Sequence, residues 1–180
     1  MADTRVALLR GINVGRAKRV AMADLRALFT TLGYDDVRTL LNSGNVVFSV
    51  PKTARGDAGV RIEKAIASKL GVSSRVTVLT ADEIAAAVDG NPLRRIADNP
   101  SRLLVMVLAR PELRKELTAL SKQSWAPEAL ALGARVAYLW CPDGIIKSRL
   151  MLAVSRVLGD ACTARNIATM TKLRDLVSGK

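Results

Sequence analysis

Short apolar runs and helical stripes alternate along this chain in an order that occurs twice. That order constrains the fold more than any single motif. Val6 to Leu9 is a short apolar run stopped by Arg10 and Gly11, which reads as a buried strand. From Met22 the apolar positions 22, 25, 28, 29 and 32 form a helical stripe, closed by Gly33. Val37 to Leu41 and Val46 to Val50 read as two strands around Asn42-Ser43-Gly44-Asn45, residues that supply the positive φ angles of a tight hairpin. Ile62, Ile66 and Leu70 mark a second helix ended by Gly71, and Val76 to Leu79 a fourth strand. Thr80-Ala81-Asp82-Glu83 is a capping box that opens an extra short helix, ended by Gly90-Asn91-Pro92.

The second half repeats the order. Leu103 to Ala109 is a continuous apolar run, as expected of a central buried strand. Pro111 at a helix start, with Leu113, Leu117 and Leu120, predicts a helix. Ala129 to Leu132 and Arg135 to Trp140 flank Gly133-Ala134 as a hairpin. Ser148 is placed as an N-cap before the stripe Leu150, Val154, Val157 and Leu158, which Gly159 ends. Thr163-Ala164 is a short extended piece, and Ile167, Met170, Leu173 and Val177 make a last helix.

Strand-helix-strand-strand-helix-strand is the split βαβ order of a ferredoxin-like plait. The expected class is α+β, with two ferredoxin-like α/β plaits in tandem. Residues 1–92 would form the first plait with its extra helix, and 93–180 the second with a terminal helix. The repetition lies in element order, with no repeat at the level of residues. Of the 180 residues, 49% are hydrophobic but only 3% aromatic, so the core must be aliphatic.

Lys and Arg number 28 against 16 Asp and Glu, a net charge of +12, which favours anionic partners. The second half carries more of the excess. There is no histidine, so mechanisms that need imidazole as base, acid or metal ligand are excluded from this chain. Two cysteines, Cys141 and Cys162, cannot assemble a structural zinc site, and they read as reduced, partly buried thiols. No apolar run approaches the ~20 residues that span a bilayer. The expectation is a cytoplasmic protein with no membrane partner, no metal and no cofactor.

Three stretches could carry chemistry. In the first, Arg10, Gly11, Asn13 and Gly15 follow the first strand, and Arg16, Lys18 and Arg19 come next. Glycines just past a strand let a ligand approach the backbone, and exposed N–H groups there favour an anion. The spacing fits neither a Walker loop nor a dinucleotide fingerprint. On composition alone, a solvated loop whose glycines only shape a turn is the simpler reading. The second is the hairpin turn with Ser43 and Asn45. Strands one and three are expected to run parallel, with strand one central, which puts this turn and the glycine loop at opposite ends of the sheet. The third comprises Lys147, Ser148 and Arg149, with Arg165 and Asn166 opening the following helix. A helix start between cations is a seat for an anion, and ordinary capping plus surface charge is the alternative.

Tyr138 and Trp140, two apart on one strand, share a face and could form a thin stacking platform, or simply pack in the core. No G-x-S-x-G elbow is present, and the adjacent acidic pairs Asp35-Asp36 and Asp82-Glu83 read as caps and surface charge.

Several of these segments, taken together and in order, carry a family likeness. They are Val6 to Gly15, Met22-Ala23-Asp24-Leu25-Arg26, Gly33-Tyr34 and Ser43-Gly44-Asn45-Val46-Val47-Phe48, with Asn91-Pro92, Tyr138-Leu139-Trp140, Lys147-Ser148-Arg149-Leu150 and Thr163-Ala164-Arg165-Asn166. The chain resembles the bacterial family called domain of unknown function 1697 over nearly its whole length. The resemblance implies two ferredoxin-like plaits and no established activity, cofactor or catalytic residue. The sequence departs from the family pattern at Arg16, Ala17 and Lys18, which stand where a glycine and Lys-Asn are usual. It departs again at Ala21, in place of proline, and at Ile167 and Ala168, in place of an aromatic and Asn.

The functional expectation is binding of an anionic ligand, either nucleic acid or a phosphorylated metabolite, through the glycine- and arginine-containing loops. Two alternatives stand beside it. One is an enzyme acting on a small anionic substrate in an inter-domain cleft. The other is a structural or self-association role through exposed sheet faces.

Overall fold

The computed structural model describes residues 3–15 and 18–179. The chain divides into two compact units, Met1–Asp82 with Asp175–Lys180, and Glu83–Arg174.

In the first unit β1 (Asp3–Leu9), β2 (Asp35–Leu40), β3 (Asn45–Val50) and β4 (Val76–Thr80) form one antiparallel sheet in the order β2-β3-β1-β4. Helices α1 (Met22–Thr31) and α2 (Ala58–Leu70) flank it. Ala7, Leu9, Val46 and Phe48 face the helices, meeting Leu25, Leu28, Phe29, Ile62 and Ile66 in one core. Three of the six aromatics lie in this core: Phe29, Tyr34 and Phe48 pack with their rings inclined by 49° to 72° and their centroids 4.7 to 5.9 Å apart. The ends of α2 follow local chemistry. Asp57 accepts from the Val60 amide at 2.9 Å, and Gly71 takes the left-handed conformation at φ 65° that stops the helix.

The second unit repeats the arrangement. Strands β5 (Leu103–Leu108), β6 (Ala129–Leu132), β7 (Val136–Trp140) and β8 (Cys162–Asn166) form an antiparallel sheet in the order β6-β7-β5-β8. Every residue of β5 is buried, as its unbroken apolar run demands. Leu104, Met106, Leu108, Ala137 and Leu139 pack under α5 (Arg149–Leu158), through Leu150, Val154 and Leu158. On the opposite face of β7, Tyr138 donates its hydroxyl to the Ala87 carbonyl of α3 (Ala81–Asp89) at 2.9 Å. Helix α6 (Ile167–Val177) follows β8.

Three expectations are corrected. Strands β1 and β3 run antiparallel, with Leu8 opposite Asn45. The end of one therefore meets the start of the other. The Pro111 segment is a 3₁₀ helix over Pro111–Leu117 followed by a single turn, α4 (Thr118–Ser121), rather than one α-helix. The short piece at Thr163-Ala164 is a full edge strand, β8.

Both faces of the central strands are buried among the described residues. Val6, Leu8, Val47 and Leu79 are buried on the side away from α1 and α2, as are Val105, Val107, Val136 and Tyr138 on the side away from α5. Tyr138 and Trp140 thus belong to the interior and offer no stacking platform. Cys162 pairs with Leu108 at one end of β5, and Cys141 donates its amide to Arg102 at the other. Five strand steps of ~3.3 Å separate those ends, far beyond the ~7 Å Cα limit for a disulfide. Both cysteines are buried and neither is joined in a disulfide.

Candidate functional site

Antiparallel pairing of β1 and β3 brings the glycine loop and the hairpin turn together. The Leu9 amide donates to the Gly44 carbonyl at 2.8 Å. Asn13 fastens the two segments. Its Nδ2 donates to the carbonyls of Val20 (2.9 Å) and Asn42 (2.8 Å), and its Oδ1 accepts from the Val20 amide (2.8 Å). Its own amide donates to the Lys18 carbonyl at 3.0 Å, closing the loop on itself. Gly11, Asn13, Gly15 and Lys18 all sit at φ between 51° and 66°, the left-handed region that glycine and asparagine tolerate best. Gly44 has a different constraint. A Cβ there would lie 2.7 Å from Leu9 Cβ and 2.8 Å from Ile12 Cδ1.

Asn45, wholly buried, donates Nδ2 to the Leu40 carbonyl and to the Ser43 hydroxyl, both at 2.9 Å. Arg10 is half-buried; its amide donates to the Arg75 carbonyl, and its own carbonyl accepts from the Ser74 hydroxyl. Five of the residues singled out in the first unit, Arg10, Asn13, Lys18, Ser43 and Asn45, thus take part in the backbone and side-chain bonds that build the junction. Arg16 lies outside the described residues.

Beside this junction opens a cavity of about 380 Å³, lined by Asn13, Arg19, Val20, Ala21, Met22 and Asn42. It sits at the start of α1. Ala21 is the N-cap of that helix and provides no side-chain acceptor. Among the described residues no side chain caps the first-turn amides, and the positive end of the helix dipole lies at the cavity. Exposed Arg19 stands on its rim. Asp24 places an acidic residue in the first turn, against this field.

Two other cavities differ in chemistry. At the opposite end of the first sheet, about 640 Å³ is lined by Asp3, Asp35 and Asp36 as well as Arg5 and Lys52, and Arg5 is paired with Asp3 at 2.6 Å. Three carboxylates oppose an anion there. In the second unit about 330 Å³ lies between α3 and the β6–β7 hairpin. Its Arg135 is committed to Glu83 (2.7 Å) and to the carbonyls of Leu108 and Ala109. Charge thus singles out the cavity at α1.

The start of α5 is closed in a way the sequence did not disclose. Ser148 accepts from the Met151 amide at 2.8 Å, as an N-cap should. The Leu150 amide donates to the carboxylate of Glu128 at 3.1 Å. A carboxylate of the chain itself therefore fills the seat, with Lys147 and Arg149 exposed beside it. Asn166 caps α6 by accepting from the Thr169 amide at 2.8 Å. Arg165 donates to the Ala164 carbonyl at 2.8 Å, and burial pulls its guanidinium pKa down to about 10. Burial likewise pushes the Cys141 thiol up, partly offset by its contact with Ser148 at 3.4 Å. Among the described residues, no group of three or more His, Cys, Asp or Glu could hold a metal ion, and no helix is long and apolar enough to cross a membrane.

Residues 2–138 match the family described as Protein of unknown function (DUF1697). The chain belongs to that family. The match takes in the junction of the glycine loop with the hairpin turn and the cavity at α1, and it stops short of Lys147, Ser148, Arg149, Arg165 and Asn166. The solved structure of the conserved bacterial protein SP0830 from Streptococcus pneumoniae is similar, with a TM-score of 0.80 at 20% identity. The likeness covers 98% of this chain and 99% of that one. At that identity it speaks to the fold. A search of curated proteins finds no match.

Proposed function

We propose that each unit is a ferredoxin-like plait and that the first binds an anionic ligand at the start of α1. In this reading the protein works in the cytoplasm, and the bound group is a phosphate carried by a small metabolite or by nucleic acid. The observation that carries the reading is the roughly 380 Å³ cavity where an uncapped helix start meets Arg19. Helix-start amides and a neighbouring cation act in the same direction on a negative group. The strand orders β2-β3-β1-β4 and β6-β7-β5-β8, with α1 and α2 against one face of the first sheet and α5 against one face of the second, support the plait assignment. The net charge of +12 would draw such ligands in over distance.

Asn13 and Asn45 take a supporting part, since their amide groups hold the loop and the turn in place. Arg19 is the side chain assigned to the ligand itself. The test is fluorescence anisotropy with labelled single- and double-stranded DNA and RNA across a salt series, run beside thermal shift with a panel of phosphorylated metabolites. Phosphate contact predicts affinity falling steeply with salt for nucleic acid, or a stabilising shift from one metabolite class. Arg19→Ala should weaken either signal. Absence of both signals at low salt rejects the proposal.

A further inference from the structure

The second unit carries a surface that the anion site does not account for. Between Cys141 and Ser148 the chain makes a tight projecting tip. The Gly144 amide donates to the Cys141 carbonyl at 2.9 Å, and the Ser148 amide to the Ile145 carbonyl at 3.2 Å, closing a single 3₁₀ turn over Ile145–Lys147. Arg102 braces the base by donating to the Pro142 carbonyl. This ordered tip holds Ile146 wholly in water, at 101% exposure, with Ile145 also exposed. Helix α5 follows directly. Its outward side continues the pattern, with exposed Arg149, Leu152 and Arg156 at spacings of three and four that place them on one face. Lys147 is exposed between the tip and the helix. One exposed carboxylate, Asp143, precedes the tip.

An isolated exposed apolar residue means little, but a braced, contiguous set does. Aliphatic side chains gain nothing from a phosphate, whereas they gain from an acyl boundary. Cations interleaved with them gain from anionic headgroups. We propose that the Ile145–Ile146 tip and the outer face of α5 form a docking surface for an anionic lipid bilayer. The isoleucines would enter the headgroup boundary, with Lys147, Arg149 and Arg156 against the lipid charges. This departs from the expectation of no membrane partner, and it requires no spanning segment.

The test is co-sedimentation of the full chain with two kinds of vesicle. One is mixed phosphatidylcholine and phosphatidylglycerol; the other is phosphatidylcholine alone. The expected result is partition to the mixed vesicles only. Ile146→Asp should reduce it about tenfold or more, and Arg149→Gln about fivefold. Both positions are exposed, so the variants should melt as the wild type does. Leu152→Asp provides a second apolar probe on the helix face. Arg19→Ala, which tests the site in the first unit, should leave vesicle binding unchanged. No partition to mixed vesicles at low salt overturns the proposal. Partition untouched by both Ile146→Asp and Leu152→Asp also overturns it, because charge alone would then account for the binding. Binding of polyglutamate with the same Ile146 dependence, in place of vesicles, would overturn the lipid assignment.

Discussion

Replacing Asn13 by alanine removes the bonds that join the glycine loop to both Val20 and the hairpin turn. Three hydrogen bonds go, two of them partly buried and one exposed. Each partly buried bond contributes about 1 kcal/mol net, and the exposed one less. Alanine must also adopt the φ of 54° that asparagine holds here, at a cost of about 1 kcal/mol. The whole loss is about 3 kcal/mol. For a chain of this length that lowers the melting temperature by ~6–12 °C. Urea denaturation followed by circular dichroism measures it directly. Asn13→Gly separates the contributions, since glycine keeps the backbone freedom and loses only the bonds. It should cost ~2 kcal/mol. Destabilisation below ~0.5 kcal/mol in both variants would refute the stapling role. Asn13 would then be available as a direct ligand contact, and the division of labour drawn above between it and Arg19 would fail.

Gly44→Ala should cost several kcal/mol, roughly 2–4, because its Cβ would meet Leu9 and Ile12 at under 3 Å from a left-handed backbone. Chemical denaturation beside an exposed control, Gly56→Ala, reads the excess over backbone strain alone. The tyrosines give a pH test. The chain has two. Burial raises Tyr138 to about 12 and raises Tyr34 as well, against the pull of Arg61 and Arg5. Folding therefore favours the neutral phenol. The stabilisation is complete below pH 10 and lost as pH climbs toward 12. Ultraviolet titration of the native protein should show no phenolate step at the ordinary pH 10, and the step should return to that pH in denaturant.

Local chemistry made much of the fold readable. Gly33 and Gly71 end their helices by adopting a positive φ that glycine takes at no steric cost, and Ser148 caps α5 by a bond within its own turn. The unbroken run of β5 reads as a strand buried on both faces, which it is. What escaped was non-local. Pro111–Leu117 winds as 3₁₀ although its leucines keep a helical spacing. Strand β8 lies in a stretch too short and polar to register as a strand, and its pairing with β5 supplies what its own sequence lacks. The seat at α5 looked open because the residue that fills it, Glu128, stands 22 positions before Leu150.

The candidate site was partly legible. Glycines, Asn13 and the cations were conspicuous, but taking β1 and β3 as parallel hid their meeting with the hairpin turn. The alternation of strand directions in an antiparallel sheet could have placed them together. The lack of a cap at Ala21 was visible in the sequence too. Its meaning depended on the cavity in front of it, which only the folded chain creates.

Amide-resolved NMR during a titration with inorganic pyrophosphate tests the anion site most directly. The account predicts chemical-shift changes concentrated at the amides of Met22, Ala23 and Asp24 and at Arg19, diminished in Arg19→Ala. Shifts that are absent there, or that cluster at the start of α5 instead, would contradict it.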